Sequence, residues 1–284
     1  MLLTKVADLN ETPEPLVLAD VPIPQPKDRE VQVRVFACGV CHTELDEIEG
    51  RTPPAFFPMI LGHQVVGEIT ALGQGATRFK KGSRIGVAWI NAACGSCLHC
   101  RNGLENLCTA FVATGRDVPG GYAEYMTVCE DFVYPIPQSF SHVEAAPLLC
   151  AGAIGYRSLR LTGMTDGETI GLVGFGASAH LVIQMIHFQF PSSKIFVFAR
   201  SEAERVFARS IGAAWTGDMT ETPPESLRYA IDTTPVWRPV VEALKNLDRG
   251  GRLVINAIRK DDSDKSSLMD INYQDHKWLE IEIT

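Results

Sequence analysis

The 284-residue sequence predicts an α/β chain of two domains, a β barrel or sandwich over residues 1–150 and a doubly wound parallel sheet over 151–284. Three observations carry that expectation. Short alternating apolar runs broken by Pro and Gly fill the first half. From about residue 151 the pattern changes to strand, glycine turn, helix, strand. Near the middle of the first half, "CGSCLHCRNGLENLC" (94–108) packs four of the eight cysteines into one loop, as a metal-stapled lobe would.

In the first half, "EVQVRVFA" (30–37) and "VVGEITALG" (65–73) read as short strands joined by turns. In the second, "ETIGLVGFG" (168–176) is a strand running into a glycine turn, with an apolar helix expected over 177–190 and a strand over 194–199, "KIFVFA". "SEAERVFARSIG" (201–212) follows as a helix that Ser201 caps and Gly212 ends. "YAIDTT" (229–234), the helix "RPVVEALKNLD" (238–248) and "GRLVINAI" (251–258) repeat the alternation.

A composition of 45% hydrophobic and 21% charged residues suits folded domains. The formal charge of −8 and a pI near 5.4 argue against nucleic acid as the main partner, because phosphate binding needs a basic face. "MLLTKVADLN" lacks the apolar core of a signal peptide, and "IGLVGFGASAHLVIQMI" (170–186) is broken by three glycines, so no membrane span is expected. A cytoplasmic protein with a small-molecule partner follows as the expectation. In that compartment clustered cysteines are metal ligands or catalytic groups rather than disulfides.

"GFGASA" (174–179) has the form G-x-G-x-x-A. Gly174 permits the tight turn, Gly176 lets backbone approach a pyrophosphate, and Ala179 allows helix and strand to pack closely. The acid expected at the end of the second strand is missing, since that stretch reads Ala199, Arg200, Ser201. A neutral residue followed by Arg200 favours NADP over NAD, although Arg200 could simply lie on the surface.

Three further stretches carry metal-ligand types. "ACGVCHTELDEIEG" (37–50) holds Cys38, Cys41 and His42, "LGHQVVG" (61–67) holds His63, and "LLCAG" (148–152) holds Cys150. Two cysteines and one histidine with an open fourth position make a catalytic zinc set. "CGVC" alone also has the spacing of a redox pair.

Taken in order, "GVCHTEL" (39–45), "GH" (62–63), the four-cysteine loop, "GGYAEY" (120–125), "LLCAG", the glycine turn and "GGRLV" (250–254) make the chain resemble the zinc-dependent alcohol dehydrogenases of the medium-chain dehydrogenase/reductase family over nearly its whole length. The resemblance implies a GroES-like β-barrel catalytic domain (1–150) and a Rossmann domain (151–284). It implies Cys41, His63 and Cys150 as catalytic zinc ligands, with Cys38 a small buried strand residue. Thr43 becomes the hydroxyl that bonds the alcohol oxygen, His42 a contact to the cofactor pyrophosphate, and Trp89 in "GVAWIN" (86–91) a wall of the substrate pocket. Two thiolates and a neutral imidazole balance the dication, and the implied reaction moves hydride between an alkoxide held at the metal and the nicotinamide, or back to an aldehyde or ketone. A homodimer or homotetramer is implied as well.

Asp46 stands where a relay His is usual, Gln64 for a Glu, Ile154 for a Thr, and Thr52 where a bulky aromatic often narrows the pocket. The sequence ends about 50 to 60 residues before the length the resemblance leads one to expect, so the chain reads as truncated, with an impaired zinc- and cofactor-binding protein as the competing expectation. Cys94, Cys97, Cys100 and Cys108 are spaced C-x2-C-x2-C-x7-C, and Thr109 follows. A bacterial ferredoxin run needs three residues before its fourth cysteine and then Pro, so a closed structural zinc fits better, with Gly95 and Gly103 easing the loop and His99 not needed. Two zinc ions per chain are therefore expected. Cys38→Ser should leave activity largely intact and Cys41→Ser should abolish it; the reverse order in a turnover assay would restore the redox reading.

Overall fold

The computed structural model describes residues 1–276 and 280–284, which divide into two units, Met1–Cys150 and Ala151–Thr284. The first begins with a small antiparallel pair, β1 (Leu2–Leu3) and β2 (Leu16–Val17). Next come β3 (Glu30–Cys38), α1 (His42–Ile48), β4 (Val65–Leu72), β5 (Arg84–Val87) and β6 (Ile90–Ala92). After α2 (Leu98–Arg101) follow β7 (Val112–Ala113), β8 (Tyr125–Cys129), β9 (Val133–Pro135) and α3 (His142–Ala145).

The main sheet has the order β8-β3-β4-β5-β9 and is antiparallel throughout. Alternation puts Val31, Val33, Val65, Ile69, Ile85, Val87, Met126 and Val128 in one buried cluster. Among the described residues no hydrogen-bonded pair joins β9 to β8, so the sheet is open. Two register shifts interrupt the β3–β4 pairing, one between Gln32 and Val33 and one between Val35 and Ala37, close to Cys38. Strands β6 and β7 pair with each other and so close the base of the cysteine loop.

In the second unit α4 (Ala151–Thr162) precedes β10 (Thr169–Val173), α5 (Ala177–Gln189), β11 (Lys194–Phe198), α6 (Glu202–Ser210) and β12 (Trp215–Gly217). Then come β13 (Leu227–Asp232), α7 (Arg238–Lys245), β14 (Leu247–Ile255), α8 (Tyr273–His276) and β15 (Glu282–Ile283). All pairings are parallel, in the order β12-β11-β10-β13-β14-β15. The order reverses between β10 and β13, the place where open α/β sheets bind ligands. Ile170 and Leu172 pack with Val182, Ile183 and Ile186 of α5, whereas Val173, Phe196 and Phe198 share a second cluster with Val240 and Leu244 of α7. Each face of the sheet is thus covered.

The helix expected over 238–248 stops at Lys245, because Leu247 already pairs with Leu227 in the sheet and joins the α7 core cluster. The strand expected to run to 258 stops at Ile255. Among the described residues no helix is long and apolar enough to cross a membrane.

Candidate metal centres and cofactor turn

The end of β3, the start of α1, the turn before β4 and the residue after a 3-10 turn (146–149) converge in the first unit. They bring the ligand atoms of Cys41, His63 and Cys150 within 4.8 Å of one another. Cys41 is the N-cap of α1: its Sγ accepts from Thr43 N at 3.3 Å, and its own N–H donates to Glu44 Oε2 at 2.7 Å. His63 follows Gly62, whose φ of +96° and close approach to Tyr122 and Cys38 Sγ admit no side chain. Cys150 is fixed because Leu149 packs with Val66 and Ala145 and sits against Gly86 of β5.

Glu44 does two jobs. While Oε2 caps the helix, Oε1 lies 2.7 Å from Nδ1 of the buried His63 as an ion-pair contact, and neither ring nitrogen makes a well-aligned protein hydrogen bond. A carboxylate on one ring nitrogen is what fixes the tautomer that presents the other to a metal. Cys41 Sγ and Cys150 Sγ are 3.8 Å apart. In a tetrahedral site with Zn–S of about 2.3 Å, two thiolates stand about 3.75 Å apart, so the pair has the spacing zinc requires.

Without a metal the charges must balance by protons. The hydrogen bond from Cys150 holds Cys41 down to about 3 against its burial, with His63 helping. The same bond to Cys41, together with burial, pushes Cys150 upward. Burial alone would lower His63, but Cys41 and Glu44 outweigh it and raise the imidazole to about 10. A dication would replace the protons on Cys150 and His63. Cys38 is different: burial pushes its thiol up to about 12, which makes it a poor nucleophile, and it is not in the donor set.

Cys94, Cys97, Cys100 and Cys108 also place their sulfurs within 4.8 Å of one another. Cys97 caps α2 through Cys100 N, and Cys97 N donates to Cys94 Sγ at 3.3 Å. The Cys94–Cys100 and Cys97–Cys100 sulfurs are 3.8 and 3.5 Å apart, too far for disulfides at about 2.05 Å and close to the spacing of a four-thiolate zinc. Gly95 (φ +68°) and Gly103 (φ +69°) turn the loop, and His99 lies outside the donor set.

In the second unit Gly174, at φ +82°, ends β10, and Gly176 is the N-cap of the 13-residue α5 with no side-chain cap. Space is open beyond Gly176, so the first N–H groups of α5 are left to an outside partner, as an anion site requires. Ala179 is fully buried in the core under the sheet.

Residues 27–138 match the alcohol dehydrogenase GroES-like domain. "Probable alcohol dehydrogenase AdhA" of Mycobacterium tuberculosis (strain CDC 1551 / Oshkosh) is 43% identical over 274 residues, which cover 95% of this chain and 77% of that protein. The chain belongs to the zinc-dependent alcohol dehydrogenases of the medium-chain dehydrogenase/reductase family. The alcohol dehydrogenase of Moraxella sp. (strain TAE123) is 36% identical over 266 residues, 89% of this chain and 77% of that one. Among solved structures, a protein of Sinorhizobium meliloti 1021 described as a zinc-binding dehydrogenase bound to NADP aligns with a TM-score of 0.81 at 26% identity, over 93% of this chain and 78% of that one. This alcohol dehydrogenase chain spans about three quarters of the length of these relatives.

The remaining expected residues are spread more widely. Thr43 is buried, with Oγ1 3.3 Å from Cys41 Sγ. His42 is exposed, and its Nε2 lies 3.8 Å from Asp46, whose carboxylate is paired with Arg51. Gln64 is buried, Ile154 is exposed on α4, and Thr52 has a buried hydroxyl without a protein partner. Trp89 sits between β5 and β6 with its ring 5.0 Å from Phe111, and the Arg116 guanidinium covers both at 5.5 and 5.4 Å. Arg200 is exposed just beyond β11, where Arg205 donates to Ala199 O, while Glu202 engages Arg205 and Arg209.

Sequence reasoning missed Glu44, Phe111 and Arg116. Only Glu44 had a readable signal, an acid three residues after a helix cap. It also missed Glu47, which is fully buried on α1 with neither carboxylate oxygen hydrogen-bonded. Burial, and then the charge of Glu44, push Glu47 up to about 8. Below its ordinary value of 4.5 both folded and unfolded chains hold the proton, and there is no penalty. As pH rises toward about 8 only the unfolded chain releases it, so folded stability declines across that window. Glu47→Gln should therefore gain on the wild type by about 2–4 kcal/mol between pH 5 and pH 8 in denaturant titrations. A difference that stays constant with pH would contradict this.

Proposed function

We propose that the chain transfers hydride between a primary alcohol, or its aldehyde or a ketone, and a nicotinamide dinucleotide, using one catalytic and one structural zinc. The observation that carries this reading is the convergence of Cys41, His63 and Cys150 on one point, beside a separate four-cysteine set. Cys41, Cys150 and His63 would hold the catalytic ion and leave one position to substrate; Cys94, Cys97, Cys100 and Cys108 would close the other site completely. Zinc, when bound at the first set, supplies a Lewis acid that polarises the substrate oxygen.

The chain's own groups do the rest. Glu44 orients His63 through Nδ1, Thr43 offers a buried hydroxyl to the substrate oxygen, and protonated Glu47 avoids a second uncompensated anion below the ligands. Trp89, with Phe111 and Arg116, would form an aromatic wall suited to medium-length or aromatic alcohols. Gly174, Gly176, Ala179 and the α5 N-terminus would take the pyrophosphate, with His42 a further contact. Arg200 supports NADP over NAD, because no acid ends β11 and a cation stands there. The eight free cysteines suit a reducing, cytoplasmic setting, and a homodimer or homotetramer is the state proposed from family membership.

A panel of alcohols should drive reduction of NADP with two zinc ions bound per chain; one zinc per chain with no turnover would contradict the catalytic half. Arg200→Ala should weaken NADPH binding about tenfold and leave NADH unchanged. Equal loss for both cofactors would defeat the NADP preference.

A further inference from the structure

We propose that Lys260 is a positioning residue for dinucleotide binding: its buried ammonium fixes the turn between β13 and α7 (residues 233–237) against the Gly174 turn and so sets cofactor affinity. This rests on the reading that the glycine turn binds a nicotinamide dinucleotide. Lys260 belongs to no motif of the sequence and follows the end of β14. It is only 8% exposed, and its Nζ donates to Asp232 Oδ2, to Thr234 O at 2.8 Å and to Val236 O at 3.0 Å. Asp232, fully buried at the end of β13, also accepts from Thr234 N at 3.2 Å and from Thr234 Oγ1 at 2.7 Å.

The neighbouring backbone tightens the same grip. Asp261 N donates to Pro235 O at 2.6 Å, so three successive carbonyls, 234 to 236, are taken by residues 260 and 261. Asp264 accepts from Trp237 N and Arg238 N at 2.9 and 2.7 Å and anchors the start of α7. On its other side the turn bears on the cofactor motif. Thr233 donates to Val173 O through N at 2.9 Å and through Oγ1 at 3.1 Å. A Cβ on Gly174 would come within 2.9 Å of both Thr233 Oγ1 and Thr234 Cγ2.

A buried ion pair is a weak device for stability alone, since apolar side chains of similar volume often do as well. What an apolar side chain cannot do is bind two carbonyls and a carboxylate at once. Without Lys260 the 234 carbonyl would lose its ammonium partner and the 236 carbonyl would keep only Thr234 Oγ1 at 3.3 Å, so the wall that holds Gly174 would loosen. A carbonyl oxygen turned toward the pyrophosphate would oppose its charge.

The test titrates the zinc-loaded full chain with NADPH and NADH by fluorescence, comparing wild type, Lys260→Met and the double variant Asp232→Asn/Lys260→Met. Lys260→Met should weaken both cofactors by about tenfold and raise the cofactor KM with kcat little changed. The double variant should recover the melting temperature but not the affinity, because the carbonyl anchors are still missing. Wild-type affinity in either variant, or affinity that returns together with stability, would overturn the proposal. Should neither variant fold, amide exchange on the wild type decides: slower exchange at 233–237 when NADPH binds supports it, and no change there while 174–181 is protected overturns it. A wild type that binds neither cofactor would instead defeat the dinucleotide reading itself.

Discussion

Two thiols and an imidazole brought within 4.8 Å of one another are the interaction on which the first unit depends. The contact with Cys150 lowers the Cys41 thiol against its burial, and Cys41 and Glu44 raise the His63 imidazole against its own. A divalent ion held there would take the place of protons, and the 3.8 Å sulfur spacing matches what zinc requires. The supporting structure follows. The bulged end of β3 delivers the α1 cap, Gly62 lets His63 enter beside Cys38, and Leu149 seats Cys150 over β5. Glu44 couples helix formation to ligand orientation, since the carboxylate that caps α1 also faces His63.

The second unit meets a different demand, to leave a helix end unsatisfied without exposing its core. Gly176 caps α5 without a side chain, while Ala179, Val182 and Ile186 bury the rest of the helix against β10. The orphan N–H groups are therefore a consequence of the fold at the switch point between β10 and β13. The Lys260 clasp acts on the same place from the far side, through the turn after β13.

Much of this was legible in the sequence because the signals are local or carried by residue type. Alternation marks β3 and β4, Ser201 marks the cap of α6, and the residue types and their resemblance pick out the two groups of cysteine and histidine that the fold brings together. What was not legible depends on partners distant in the chain. Nothing in "DEIEG" tells that Glu47 is buried while Asp46 meets Arg51, because adjacent acids on a short helix look alike until their surroundings are known. Lys260 reads as one basic residue in a charged segment, and only the backbone carbonyls 24 to 26 positions earlier give it a role. The end of α7 was misplaced because Leu247 satisfies a helical pattern as well as a strand, and pairing with Leu227 decided between them.

The proposed function requires two chemically distinct zinc sites, one closed and one open. Zinc-edge X-ray absorption on the purified protein tests it most directly. The two sites together predict an average shell of about three sulfur and one nitrogen or oxygen neighbour per zinc, with sulfur near 2.3 Å. A shell of sulfur alone would mean that only the four-cysteine loop holds metal, and would contradict the assignment of Cys41, His63 and Cys150.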